Sequence, residues 1–78
     1  MTQQEVQIIQ FWLDTTHRDI TITERMLEIK LVRDKLIRML DADIEANEEA
    51  CSRQWSDKRW KIINMMISIR DRLISDYA

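Results

Sequence analysis

The chain has 78 residues, of which 45% are apolar and 33% are charged, with a formal net charge of −2 and neither glycine nor proline. This composition excludes a disordered chain, and the absence of glycine and proline excludes tight β-hairpin turns and phosphate-cradling loops. The slight negative charge provides no general attraction to nucleic acid or to an anionic membrane. We therefore predict one all-α domain over residues 1–78.

The sequence also predicts a cytoplasmic location. No apolar run has the length of a membrane span, and the first residues, MTQQEVQIIQ, lack the basic start of a secretion signal. The single cysteine, Cys51, excludes an internal disulfide, which fits a reducing compartment. We expect Cys51 to be a small buried apolar side chain rather than a reactive thiol.

A capping box formed by Thr2 and Glu5 predicts the start of the first helix, which we expect to end near Thr15 or Thr16. At about 100° per residue, its apolar side chains form one wide face. These side chains are Val6, Ile8, Ile9, Phe11, Trp12 and Leu13.

Thr21 and Glu24 form a second possible capping box, with Asp19 and Thr23 as alternative caps. A sustained 3.6-residue pattern then predicts a long helix to about Asn47. Its main apolar face comprises Ile22, Met26, Ile29, Val32, Leu36, Met39, Leu40 and Ile44, and a smaller patch on the opposite side comprises Leu27 and Leu31.

The stretch over residues 41–49 contains five acids and no base. Acids are unfavourable at a helix C-terminus, so the helix should not end within this stretch. We predict a bend between Asn47 and Ser56, with Ser52 or Ser56 capping the next helix. The alternative is an uninterrupted rod over residues 22–76, which would span ~80 Å at 1.5 Å per residue and would require an oligomer.

The last helix is predicted over Asp57–Asp76, and its apolar side chains cover an arc of roughly 220° at about 100° per residue. A single neighbouring helix cannot cover so wide an arc. We therefore predict a short N-terminal helix followed by a two-helix antiparallel hairpin, completed by self-association or by a protein partner. A tightly wrapped monomeric three-helix bundle is the alternative.

Aromatic and arginine side chains dominate the energetics of protein interfaces. The predicted partner contacts are Phe11, Trp12, Trp60, Ile63, Ile67, Arg70 and Ile74. Arg33 and Arg70 lie within the apolar arcs, where either their stems follow the surface or their guanidinium groups form buried or interfacial ion pairs. Asp43 lies near the apolar side of its own helix.

The segment RQWSDKRWK, residues 53–61, combines two tryptophans with the bases Arg53, Lys58, Arg59 and Lys61. Packing of Trp55 and Trp60 in the core is the first expectation, partner anchoring the second and nucleic-acid stacking the third. The neighbouring acids would repel a phosphate backbone, so nucleic acid is the less favoured partner.

No catalytic, cofactor or metal site is predicted. The chain has one histidine, His17, which lies far in sequence from the only cysteine, and we expect its side chain to be solvated. Because no acid, base and nucleophile can be assembled, we predict a protein that is not an enzyme and has no small-molecule substrate or membrane partner.

A glutamine–aromatic pair, Gln54 and Trp55, follows the predicted bend, and Trp60 precedes the apolar series Ile62, Ile63, Met66, Ile67 and Ile69. This C-terminal half resembles the small helical co-chaperones of type III secretion needle subunits. The resemblance implies a helical hairpin that joins a larger helical-repeat chaperone and keeps the needle subunit soluble. We predict an adaptor, co-chaperone or inhibitor, and the alternative is a small phage-type or bacterial nucleic-acid-associated regulator.

Overall fold

In the computed structural model, which describes residues 1–77, the chain forms four α-helices: α1 (Gln3–Thr15), α2 (Glu24–Leu27), α3 (Lys30–Arg53) and α4 (Asp57–Ser75). This confirms the all-α fold, and no strand occurs in the described range. The longest dimension is 38 Å, against the ~80 Å expected of a continuous rod. The alternative of an uninterrupted rod is therefore wrong.

Helix α1 begins and ends where the sequence predicts. The Glu5 N–H donates to Thr2 Oγ1 at 3.3 Å, and the Thr2 N–H donates to Glu5 Oε1 at 3.1 Å, which completes the capping box. Beyond the helix end, the Arg18 N–H donates to the Leu13 carbonyl oxygen at 3.0 Å, as in a Schellman motif. His17 lies at φ 57, a left-handed conformation that favours glycine, so the chain turns here at some conformational cost.

The long second helix predicted from the sequence is interrupted. Thr23, one of the alternative caps, accepts from the Met26 N–H at 3.3 Å, and α2 ends at Leu27 after about one turn. The Arg33 guanidinium donates to the carbonyl oxygens of Leu27 and Glu28 at 2.9 and 2.8 Å. It thereby satisfies acceptors that the interrupted helix leaves open.

The interruption changes which apolar side chains are buried. Leu27 is fully buried, whereas Leu31 is 80% exposed and Ile29 is 53% exposed. The predicted pairing of Leu27 with Leu31, and the position of Ile29 on the main face, are therefore wrong. A wheel drawn through residues 22–44 assumes a continuous helical phase, and the break before α3 removes that phase relation.

Helix α3 continues to Arg53, beyond the end predicted near Asn47, and the corner comprises residues 54–56. The corner lies within the predicted range. Ser56 caps α4, because its Oγ accepts from the Arg59 N–H at 3.2 Å. The turn between the two long helices is thus built by a serine cap, without glycine or proline.

The core lies between α1, α3 and α4, and Leu27 of α2 is packed into it. Between α3 and α4, Asn47 bonds to Arg59 near the corner at 2.9 Å, and Asp41 bonds to Arg70 farther away at 3.0 Å. The fully buried side chains are Ile9, Trp12, Leu13, Leu27, Leu40, Ile63, Met66 and Leu73. The accessible surface of 5552 Å² is close to the value of about 5,000 Å² expected for a folded monomer of this mass, so one chain closes its own core.

Candidate protein-binding surfaces

Eight large apolar side chains are at least 38% exposed. Isolated exposed apolar residues are ordinary, and contiguous ones mark interaction sites. One contiguous group and one series along a single helix face occur here. We call them the α1–α4 cleft, formed by Ile8, Phe11, Ile62 and Met65, and the α4 ridge, formed by Trp60, Ile67 and Ile74.

The α1–α4 cleft is a concave apolar surface. Ile8, Phe11 and Met65 line one depression, and Phe11, Ile62 and Met65 line an adjoining depression of about 500 Å³. Phe11 is 61% exposed, so its ring remains available although it stands beside the core. The two depressions share side chains, and together they form one continuous surface.

Helix α1 is fixed beneath the cleft by a polar cluster around Asp43. Trp12 Nε1 donates to Asp43 Oδ2 at 2.9 Å, and the Arg18 guanidinium donates to Oδ2 and Oδ1 at 2.7 and 3.1 Å. The guanidinium carbon of Arg18 also lies 5.3 Å from the centre of the Trp12 ring. The Arg18 hydrogen bonds lower the pKa of Asp43, burial partly opposes that shift, and the Trp12 hydrogen bond adds to it.

The α4 ridge lies on another side of the same helix. Its three residues recur every seven positions, which places them along one face. Ile74 is 52% exposed, and Trp60 is 42% exposed. Beside the ridge, Arg70 bonds to Asp41 at 3.0 Å and to Asp71 at 3.3 Å, so both of its acidic neighbours are already paired.

The structure separates the seven predicted partner contacts into two groups. Five keep exposed area and remain predictions: Phe11, Trp60, Ile67, Arg70 and Ile74. Trp12 and Ile63 are 1% and 0% exposed, so they are wrong as contacts of the folded chain. Trp12 lies on the buried face of α1, where Asp43 accepts its indole N–H, and Ile63 is packed in the core.

Core packing of the two tryptophans near the corner is also wrong. Trp55 is 59% exposed, and its ring centre lies 5.4 Å from that of Trp60, so the pair extends the α4 ridge to the corner. Two of the four bases in this segment are already engaged: Arg53 with Glu49 at 3.3 Å, and Arg59 with Asn47 at 2.9 Å. The other two are Lys58, which lines the cleft, and Lys61, which is exposed.

Sequence reasoning did not select three members of the cleft: Ile8, Ile62 and Met65. Each belongs to a wide apolar arc on its own helix, but an arc does not show which part a neighbouring helix covers. The width of the apolar arcs on α1 and α4 could have indicated the cleft, because two wide faces packed together leave part of each face uncovered.

The two residues that could support chemistry lie apart from the cleft lining. His17 is exposed at the end of α1, and Cys51 is buried, both as predicted. Within residues 1–77, no group of three or more metal-binding side chains is arranged to hold an ion, and no described helix is long and apolar enough to cross a membrane. Comparison with protein-family models, curated proteins and solved structures gave no match.

Proposed function

We propose that this chain is a non-enzymatic, cytoplasmic protein-interaction module that binds a partner through exposed apolar helix faces. The observation that supports the proposal most directly is the α1–α4 cleft, with Phe11 at its centre. The core is closed within one chain, so the exposed side chains of the cleft are not required for folding.

The exposed area of these side chains sets how much binding energy they can provide. Burying one large apolar side chain stabilises an association by about 1.5–3 kcal/mol before ordering costs. Four such residues adjoin in the cleft, and Phe11 and Ile62 keep 61% and 39% of their surface exposed. A concave surface also excludes water from the contacts made in it, which concentrates binding energy in a few central residues.

Adaptor, co-chaperone and inhibitor are the roles that such a module would fill. The resemblance of the C-terminal half to type III secretion co-chaperones offers one specific form of the proposal. In that form, the exposed Trp55 and Trp60 at the corner and the adjoining ridge would contact a helical-repeat chaperone. Self-association through the same surfaces is the other form.

Site-specific photo-crosslinking in the native cell tests the proposal. A photoreactive residue at Phe11 or at Ile74 should give discrete crosslinked protein products, while the same residue at the exposed Arg38 of α3 should give none. Identical products at all three positions, or no product at any, would refute the interaction module. Recovery of the chain itself as the product would show the self-associating form.

A second candidate is a nucleic-acid-associated regulator, favoured by the exposed Trp55–Trp60 pair beside Arg53 and Arg59. Aromatic side chains can stack on the nucleobases of a single strand, and adjacent arginines can neutralise its phosphates. Titration of the chain with random single-stranded and duplex DNA at increasing salt tests this role. A steep loss of affinity with salt would support it, and no binding at low salt would exclude it.

A further inference from the structure

Two basic side chains of α4 stand at the α1–α4 cleft. Lys58 lines the cleft, and Lys61 precedes Met65 by four residues, which places it on the same side of α4. Neither lysine forms an ion pair with any other residue in the range 1–77. Two uncompensated ammonium groups therefore stand beside the apolar surface, on a chain whose net charge is −2.

Two acids near the cleft are paired with arginines. Asp43, which also lines it, binds Arg18 through both carboxylate oxygens, and Glu5 binds Arg72 at 2.9 Å. Asp14, one turn after Phe11 on α1, forms no ion pair within residues 1–77 and accepts from Gln10 Nε2, which also donates to the Ile20 carbonyl oxygen of the following loop. The α4 wall of the cleft consequently carries two unpaired positive charges, which attract acidic groups of an incoming partner.

The shape of the cleft fits a helix. Glu5 contacts Arg72 near the start of α1, whereas Phe11 shares the cleft with Ile62 and Met65, so α1 and α4 run antiparallel along its two walls. Each wall presents apolar side chains three residues apart, which leaves the groove into which the ridge of a third helix packs. An amphipathic helix laid in a groove between two helices is an established mode of recognition.

The alternative occupant, a second copy of this chain, offers a poor match. Its α4 ridge is apolar, but Asp41 and Asp71 beside it are both bound by Arg70. Its exposed acids Glu45 and Glu48 lie on α3, where no large apolar side chain is exposed between residues 41 and 53. Single unpaired acids adjoin the exposed aromatics, with Asp14 after Phe11 and Asp57 before Trp60, but no described helix carries a row of unpaired acids along an exposed apolar stripe.

We propose that the α1–α4 cleft binds an amphipathic helix of another protein whose apolar stripe is flanked by acidic residues, with Phe11 as the apolar anchor and Lys58 and Lys61 pairing with the acids. This inference rests on the proposed interaction function and adds the chemistry of the partner. The lysines at the rim orient the bound helix and favour acidic partners over basic ones, and the apolar side chains contribute most of the affinity.

Two synthetic helical peptides test the chemistry without knowledge of the natural partner. Both carry leucines at i, i+3, i+4 and i+7, and they differ only in having glutamates or lysines beside the stripe. Fluorescence anisotropy should show that the folded chain binds the glutamate peptide more tightly than its lysine twin. Added salt should reduce the difference between the two peptides.

A matched pair of double variants shows whether peptide binding depends on charge at the cleft or only on the total charge of the protein. Lys58→Glu with Lys61→Glu should weaken binding of the glutamate peptide about tenfold and strengthen binding of the lysine peptide. Lys35→Glu with Arg38→Glu makes the same change in charge at the same spacing on α3, and it should alter neither affinity by more than about twofold. Phe11→Ala should weaken binding of both peptides.

Four results would overturn the inference. They are equal binding of the two peptides, equal effects of the two double variants, amide chemical-shift changes outside the cleft, and tighter binding to vesicles of anionic lipid than to the peptide. Sedimentation showing a dimer that Phe11→Ala dissociates would assign the cleft to a second copy instead. If photo-crosslinking at Phe11 still captures a protein partner, any of these results would leave the interaction function standing. It would reject only the proposal that the partner is an amphipathic helix flanked by acids.

Discussion

Phe11 and Trp12 are neighbours on α1, and they belong to two regions with opposite properties. Trp12 is 1% exposed, and its indole N–H and ring contact Asp43 and Arg18. Phe11 is 61% exposed and stands in the α1–α4 cleft, where apolar side chains and unpaired lysines remain uncovered. The buried region holds the fold together, and the open region keeps contact area for another molecule.

One short helix thus serves both purposes. Successive residues on a helix differ by about 100° in direction, so adjacent aromatics point to different surroundings. A single polar acceptor, Asp43, stabilises the inward position of Trp12 by satisfying the indole N–H. No comparable contact covers Phe11, so stability and binding should respond to different substitutions.

Exchanging each aromatic for alanine tests the comparison most strongly. Trp12→Ala should lower the free energy of unfolding by about 3–5 kcal/mol because it leaves a large cavity. Phe11→Ala should change it by less than about 0.5 kcal/mol, as is usual for an exposed site. Urea denaturation followed by circular dichroism measures both, and Trp12→Phe provides a milder variant if the alanine form does not fold. Equal losses at the two positions would contradict the division.

The polar cluster behind Trp12 should also be sensitive to substitution. Asp43→Ala leaves the Trp12 N–H and the Arg18 guanidinium without their acceptor, and it should destabilise the fold by about 2–3 kcal/mol. Asp43→Asn should cost less, because its amide oxygen can still accept one hydrogen bond. Asp41→Ala removes the exposed pair with Arg70 and should cost less than about 1 kcal/mol. Thermal denaturation of the three variants should rank them in this order.

Lowering the pH should reduce the free energy of unfolding, because it protonates the carboxylate of Asp43. The pKa of Asp43 is lowered in the folded chain, mainly by its hydrogen bonds with Arg18. Its contribution to stability is therefore complete above the unfolded value of about 3.9 and is lost as the pH falls through the lower folded value. The stability difference between wild type and Asp43→Asn should shrink as the pH is lowered from 6 to about 2. A difference that stays constant over this range would refute the assignment.

The smallest expected effect concerns the turn that follows α1. Replacing His17 by glycine removes the cost of a left-handed conformation and should stabilise the fold by about 0.5–1 kcal/mol, after the greater entropy of unfolded glycine is counted. His17→Asn should have a smaller effect of the same sign, because asparagine tolerates this conformation. Peptide binding in the cleft should be unchanged in both variants.

The elements with side-chain caps were the most predictable from the sequence. Thr2 with Glu5 marked the start of α1, and Ser56 was one of two caps proposed for α4. Both caps act within one turn, so the sequence spacing alone carries the information. The exposed His17 and the buried Cys51 also followed from local context.

The interruption before α3 had no such local signal. The apolar pattern from Ile22 to Ile44 favours one helix, and Ile29, the N-cap of α3, makes no side-chain capping bond. Instead, Arg33 binds the carbonyl oxygens of Leu27 and Glu28. Arg33 also lies 4.5 Å from the ring of Tyr77, which follows α4 and is distant in sequence. Contacts of this kind form only after the helices have packed.

The sequence by itself determined the helical class, the caps and the regions of apolar surface, because these depend on composition and on spacing within a few residues. Tertiary structure alone decided which parts of the apolar arcs are covered. It turned Trp12 inward toward Asp43, left Phe11 outside, and set Lys58 at the rim of the cleft. The physical reason is that sequence spacing gives only the direction of each side chain around its own helix axis. Burial depends on where the neighbouring helices lie and where they end.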